Sequence, residues 1–306
     1  MVMETNILLE SGTNELEILE FKIGEHSYGI NVAKIREILP YREVTPVPNS
    51  HPYVEGIFMP RDLIITIIDL AKSLHLPPSQ DEKSDMFIVT NFNQLNLAFH
   101  VQQVVGIHRV SWSDIVRPDD AVNNNENGVA TGIIKLQDKL IVILDFEKIV
   151  ADISPETSLK VSAIEQLGER ERNNIPILIA DDSPLLNRLI MDALNKAGYT
   201  NVTSANNGQE AWDILNGYKE NGGDIKDYIQ LIVTDIEMPI MDGHRLAKLV
   251  RSDSTFDKVP IVIFSSLIND EMRRKGDSLG VDAQLTKPEI GKLVQTLDEL
   301  LIQSQN

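Results

Sequence analysis

Three short apolar runs, each closed by a charged residue, constrain the fold of this chain more than any other feature. Residues 177–180 (ILIA) run into Asp181 and Asp182, 231–234 (LIVT) into Asp235, and 283–286 (AQLT) into Lys287 and Pro288. Apolar runs of this length, bounded by turn residues and separated by helix-length stretches, predict buried parallel strands of an α/β sheet. Such sheets gather functional groups at the carboxyl ends of their strands. Three carboxylates and one lysine are therefore expected in one pocket. Carboxylate oxygens suit a hard cation such as Mg²⁺, and the cation together with the lysine would offset the charge of a phosphoryl group. Asp235 is the candidate nucleophile, because a carboxylate can attack phosphorus and become an acyl phosphate. Ser183 and Pro184 also read as an ordinary N-cap followed by a first-turn proline.

The same residues carry a resemblance. LIADDS (178–183), VTDIEMPIMDG (233–243), VIFSS (262–266) and TKP (286–288) resemble the receiver domain of two-component response regulators over residues 175–306. The resemblance implies a doubly wound, flavodoxin-like fold. It further implies that Asp182 binds Mg²⁺ directly, Asp181 binds it through water, and Glu237 lends its backbone carbonyl. Asp235 would be the phosphoacceptor, forming 4-aspartylphosphate. Ser265 would hydrogen-bond the phosphoryl oxygens, Lys287 would pair with them, and the Lys287–Pro288 bond would be cis. Two features depart from the usual family pattern, Gln284 and the pair Glu237 and Leu267. Gln284 stands where Tyr or Phe is usual, three residues before the lysine, which separates phosphorylation itself from the family's usual read-out. Glu237 and Leu267, two residues past Asp235 and Ser265, stand where the family tunes hydrolysis of the acyl phosphate.

The chain has 306 residues, 42% hydrophobic and 24% charged, which fits a globular protein of two domains. It contains no cysteine, so disulfides and thiolate metal sites are excluded. No apolar run is long enough to span a bilayer, and the start of the chain lacks the basic segment of a secretory signal. The net charge of −18 is shared by both halves. With no basic face for phosphate backbones and about one helix remaining after Lys287, nucleic acid is not an expected partner.

The first 150 residues read as β-rich. Strands are predicted at 21–23 and 28–30 around a Gly24–Glu25 turn, and at 63–68, 86–89, 95–99, 132–136 and 140–144. Short helices are predicted at about 32–38 and 146–151. The five histidines of this half are scattered without metal-ligand spacing, and no nucleotide-binding fingerprint occurs. YGI (28–30), VAKIREI (32–38), Pro46 and above all GIFMPRDLIITIIDL (56–70) resemble the CheW-like adaptor domains of bacterial chemotaxis, over residues 16–150. Asp62 replaces the usual glycine after Arg61. The resemblance implies a pair of small all-β barrels that contact the cytoplasmic tips of chemoreceptors and the histidine kinase CheA. Arg61 and Glu37 are the expected contact residues, with a salt bridge from Arg61 to Asp62 or Asp69 as the structural alternative. Ile35, Ile38 and Phe58 are expected in the core.

Residues 151–174 are read as a linker with one helix, and 4–17 as a short leading helix. The expectation for the whole is a multidomain protein, an all-β adaptor followed by an α/β receiver. It would act as a non-enzymatic coupling adaptor between chemoreceptors and CheA, modulated by phosphorylation at Asp235 and involved in adaptation. It would be cytoplasmic and recruited to membrane-associated arrays without entering the membrane. Two rival readings are a phosphate sink for CheA, localised by the adaptor half, and an aspartyl phosphatase of the haloacid-dehalogenase type. The second needs an Asp two residues past the nucleophile, where this chain has Glu237.

Overall fold

In a computed structural model the described residues are 14–92, 95–116, 128–136, 139–154 and 170–304. The first half begins with a hairpin, β1 (Glu15–Ile23) and β2 (His26–Asn31), turned at Gly24 with φ +59°. Glycine is there for that backbone angle, since a Cβ would meet nothing. The next strands are β3 (Ile35–Pro40), β4 (Val54–Phe58), β5 (Ile65–Asp69), β6 (Met86–Phe92) and β7 (Leu95–Val101). After them come β8 (Gln103–Ser111), β9 (Ile115–Val116), β10 (Ala130–Leu136) and β11 (Lys139–Leu144). Two short helices follow strands directly, α1 (Leu70–Ser73) after β5 and α2 (Phe146–Ile153) after β11.

The strands form two sheets, ordered β8-β1-β2-β11-β10-β9 and β3-β6-β7-β5-β4. Each has its own core: Leu16, Ile18, Trp112, Ile134 and Ile141 in the first, and Ile65, Ile67, Phe87, Val89 and Ala98 in the second. A third cluster, including Phe21, Ile68, Phe99 and Phe146, joins them through α2.

Two expectations are corrected here. The helix at 32–38 is only a 3₁₀ turn, Val32–Lys34, followed by β3. Ile35 and Ile38 pack against the joining cluster while β3 pairs with β6, so tertiary pairing overrides the local helical pattern. Residues 15–17 of the expected leading helix are strand, paired with β8. β8 itself was not anticipated. It is an edge strand of alternating exposure, with Val105 and Ile107 outward, and its apolar residues are interrupted by Gly106, His108 and Arg109. The other residues of the leading helix, 4–13, and most of the linker helix, 155–169, lie outside the described residues, and β12 begins at Asn173.

The second half is a five-stranded parallel sheet ordered β13-β12-β14-β15-β16. Its strands are β12 (Asn173–Ala180), β13 (Tyr199–Ala205), β14 (Leu231–Thr234), β15 (Ile261–Ser265) and β16 (Ala283–Thr286). The helices are α3 (Pro184–Lys196), α4 (Gly208–Asn221), α5 (Gly243–Ser252), α6 (Asp270–Ser278) and α7 (Ile290–Ser304). Successive strand residues face opposite sides. Ile177 and Ile179 pack toward α3 and α7, whereas Leu178 and Ala180 pack toward α4 and α5. This explains why β12, β14 and β15 read as continuous apolar runs. Strand order reverses beside β12, and Asp181, Asp235, Ser265 and Lys287 sit at the carboxyl edge there.

The two halves meet over this edge. Ile240 N–H donates to the Trp112 carbonyl (2.8 Å), and Asn14 Nδ2 donates to the Ile240 carbonyl (2.9 Å). Asn14 Oδ1 accepts from Asp242 N–H (3.0 Å). Ile240 has φ +69°, an unusual angle for a β-branched residue, so the first half holds a strained turn beside the acidic pocket.

Candidate functional site

The residue at the centre is Lys287, 2% exposed at the end of β16. Its Nζ donates to Asp181 Oδ2 and to Asp235 Oδ2, each at 2.8 Å. Asp181 follows β12 and Asp235 follows β14, and both are buried. Asp182 is half-buried, and carboxylate oxygens of the three aspartates lie within 4.8 Å of one another. Two local bonds set the carboxylates: Ser183 N–H donates to Asp181 Oδ1 (3.0 Å) and Ile236 N–H to Asp235 Oδ1 (2.6 Å). The Lys287–Pro288 bond is cis, as expected.

The electrostatics are those of a cluster with too few cations. Burial pushes Asp181 up to about 7, and neighbouring Asp235 adds to the rise that Lys287 opposes. Burial, then Asp181, Asp235 and Asp145, raise Asp182 well above the ordinary carboxylate range. Burial alone would lower Lys287, but Asp181, Asp235 and Glu147 outweigh it and hold the ammonium charged. Three convergent hard oxygen donors with one lysine suit a divalent cation.

Ser265 is fully buried at the end of β15, and its Oγ accepts from Leu267 N–H (3.2 Å). Gln284 does not point to the pocket. Its Nε2 donates to the Arg273 carbonyl and Asp277 Oδ1, both at 2.8 Å, and its amide lies over Gly276, where a Cβ would come within 2.5 Å of it. Arg61 and Glu37 are elsewhere. Arg61 is exposed in the turn between β4 and β5 with φ +61°, and Glu37 is half-buried in β3. Among the described residues no ion pair joins Arg61 to Asp62 or Asp69, and Asp69 instead caps α1.

Three residues that sequence reasoning gave no role line the same cleft: Lys34, Asp145 and Glu147. Lys34, in the 3₁₀ turn, reaches Glu237 Oε2 at 2.5 Å and Glu147 Oε1 at 3.6 Å. Asn31 Nδ2 donates to Glu237 Oε1 (2.6 Å). Glu147, in the first turn of α2, accepts a short hydrogen bond from Ser266 Oγ and lies 3.8 Å from Lys287 Nζ. Burial would raise Glu147, but Lys287 and Lys34 outweigh it and keep it ionised. No local pattern announces a contact between residues more than a hundred positions apart.

A model of the CheW-like domain matches residues 17–154, and one of the response regulator receiver domain matches residues 177–298. This chain is a CheW-like domain joined to a receiver domain. Over most of its length it is similar to chemotaxis protein CheV3 of Helicobacter pylori, at 29% identity covering 94% of this chain and 95% of that protein. The CheW-like domain is similar to chemotaxis protein CheW of Thermotoga maritima, at 29% identity over 48% of this chain and 95% of the relative. Sensor histidine kinase CheAY of Helicobacter pylori is similar at 26% identity, covering 78% of this chain and 29% of the kinase.

Proposed function

We propose that this chain is a chemotaxis coupling adaptor whose CheW-like domain links chemoreceptors to the histidine kinase CheA and whose receiver domain takes a phosphoryl group on Asp235. The observation that carries the proposal is the Asp181–Asp182–Asp235–Lys287 cluster at the carboxyl edge of the receiver sheet, in one chain with a CheW-like domain. Asp181, Asp182, Asp235 and the Glu237 carbonyl would hold Mg²⁺. The ion supplies positive charge to phosphoryl oxygens when bound.

An Asp235 carboxylate oxygen attacks the phosphorus of the kinase's phosphohistidine. The P–N bond breaks, its electron pair stays on the imidazole nitrogen, and an acyl phosphate forms on Asp235. Lys287 and Ser265 then pair with the phosphoryl oxygens. Nothing in this sequence of steps turns over an external substrate, so the protein is an adaptor rather than an enzyme. Glu237, the position a haloacid-dehalogenase-type phosphatase would use as its acid, has its carboxylate occupied by Asn31 and Lys34. Contact between the CheW-like domain and the phosphoacceptor edge favours regulation of coupling, including adaptation, over a simple phosphate sink. Arg61 and Glu37 are proposed as partner contacts. Among the described residues no helix is long and apolar enough to cross a membrane, and we place the protein at cytoplasmic receptor arrays through its partners.

The test is phosphoryl transfer from radiolabelled CheA with Mg²⁺, followed by receptor-coupled kinase output. Wild type should take the label and Asp235→Ala should not, with output differing between them. Label on the alanine variant would sink the assignment of Asp235. Equal receptor-coupled autophosphorylation of CheA with both proteins, with wild type still taking the label, would favour the sink.

A further inference from the structure

The interface between the two domains places a carboxylate beside the ammonium that an incoming phosphoryl group would have to pair with. Glu147 accepts from Ser266 Oγ and sits 3.8 Å from Lys287 Nζ, the ammonium that also bonds Asp235 at 2.8 Å. Its Oε1 lies 3.6 Å from Lys34 Nζ. A serine hydroxyl and two ammonium groups around one anion are the recognition chemistry of a phosphoryl group. Here the hydroxyl and one ammonium, Ser266 and Lys287, belong to the receiver, and Glu147 reaches them from the CheW-like domain together with its own neighbour Lys34.

Glu147 is not a loose surface acid. Asp145 caps α2 by accepting from Lys148 N–H (2.9 Å), and Phe146, Ile149 and Val150 are buried in the cluster that joins the two CheW-like sheets. The helix that carries Glu147 is therefore fixed within its domain, and clearing the carboxylate from Lys287 takes a turn of the glutamate side chain or movement of the whole domain.

We propose that Glu147 is an internal plug of the phosphoacceptor pocket, so that phosphorylation of Asp235 and seating of α2 against the receiver exclude one another. The inference rests on the function proposed above. A dianionic phosphoryl group on Asp235 needs Lys287, and Glu147 within reach of the same ammonium adds like-charge repulsion in a buried site. The phosphorylated receiver releases α2, and with it the contacts of Lys34, Asn31, Asn14 and Trp112. Linkage makes the effect reciprocal: the seated plug weakens phosphoryl binding by the same factor by which the phosphoryl group weakens seating. A partner that pulls the CheW-like domain away would prime Asp235 for phosphorylation.

The test uses the full chain with Mg²⁺ and beryllofluoride, a phosphoryl mimic, bound by calorimetry. The chain has no cysteine, so spin labels at Glu25→Cys and Lys196→Cys, both exposed and one in each domain, report the interdomain distance uniquely. Glu147→Ala should bind the mimic about tenfold more tightly than wild type, within the usual range of coupling between sites. Glu147→Gln, which keeps the shape but not the charge, should fall between them. In wild type the narrow distance distribution should broaden when the mimic saturates, and in Glu147→Ala it should already be broad. Equal affinities for all three proteins, or a distance unmoved by saturating mimic, would overturn the plug. If no variant binds the mimic and Asp235 accepts no phosphoryl group, the proposed function fails first and the plug falls with it.

Discussion

Asp181 titrates in an unusual window because burial and Asp235 oppose its charge more strongly than Lys287 supports it. With a folded pKa of about 7 against an ordinary 3.8, the folded protein binds more protons than the unfolded chain between those values. Stability without metal is therefore lost as pH rises from about 4 to about 7. Asp182 is shifted in the same direction. With a chelator present, the receiver unfolding midpoint should be higher at pH 6 than at pH 8. Added Mg²⁺ should raise it more at pH 8, where the carboxylates are ionised, than at pH 5. Scanning calorimetry at these pH values checks the sign, and a midpoint that climbs with pH under chelation would contradict it. Gly243 shows how tightly the backbone approaches the nucleophile. A Cβ there would lie 1.9 Å from the Asp235 carbonyl oxygen and 3.0 Å from Thr234 Oγ1. Gly243→Ala should destabilise the receiver by ~1–3 kcal/mol and reduce phosphoryl acceptance by displacing Asp235. Urea denaturation followed through Trp212 and phosphoryl uptake measure the two effects.

At the scale of elements, one buried acid staples the first sheet. Glu20 on β1 is fully buried and accepts from Ser27 Oγ on β2 (2.7 Å) and Lys139 Nζ on β11 (2.6 Å), with His108 Nε2 on β8 at 2.7 Å. Four strands converge on one carboxylate. Glu20→Ala would leave these partners unpaired and should cost ~1–3 kcal/mol, read by urea denaturation of the CheW-like domain through Trp112. The elements also differ in how openly the sequence declares them. The edge strand β13 (YTNVTSA) of the receiver is partly exposed and shows no apolar run, whereas the central strands β12, β14 and β15 are buried on both faces and show as apolar runs. β10 and β11 were equally plain. β3 was misread as helix because VAKIREI also fits a helical period, and only pairing with β6 decides the matter. β8 was missed because an edge strand with one wet face needs no continuous apolar run.

At the scale of the molecule, the lysine of the 3₁₀ turn bridges the two domains. Lys34 joins Glu237 of the receiver to Glu147 of its own domain, and both carboxylates hold it well above the ordinary lysine range despite burial. Lys34→Ala would leave two poorly solvated carboxylates facing each other. Truncating one partner of a buried pair at an interface typically costs ~2–5 kcal/mol, so the closed arrangement should lose at least ~10-fold in population. Small-angle scattering or the interdomain label distance should show the domains apart even without a phosphoryl mimic. An unchanged compact profile would show that the Asn14, Asn31 and Trp112 contacts suffice alone.

The sequence by itself determined the two domain types, the parallel receiver strands and the convergence of Asp181, Asp182, Asp235 and Lys287 at one sheet edge, with Ser265 added by the family resemblance. Strand period, apolar run length and turn residues are local quantities, and the fold carries each run's end to the same place. Tertiary structure alone decided that α2 and the Val32–Lys34 turn lie across that edge and bring Glu147 and Lys34 to Lys287 and Glu237. A glutamate in a helix's first turn and a lysine in a short turn are ordinary surface choices in any local reading. Their role comes from burial between domains, where charges more than a hundred residues apart meet with little water to screen them.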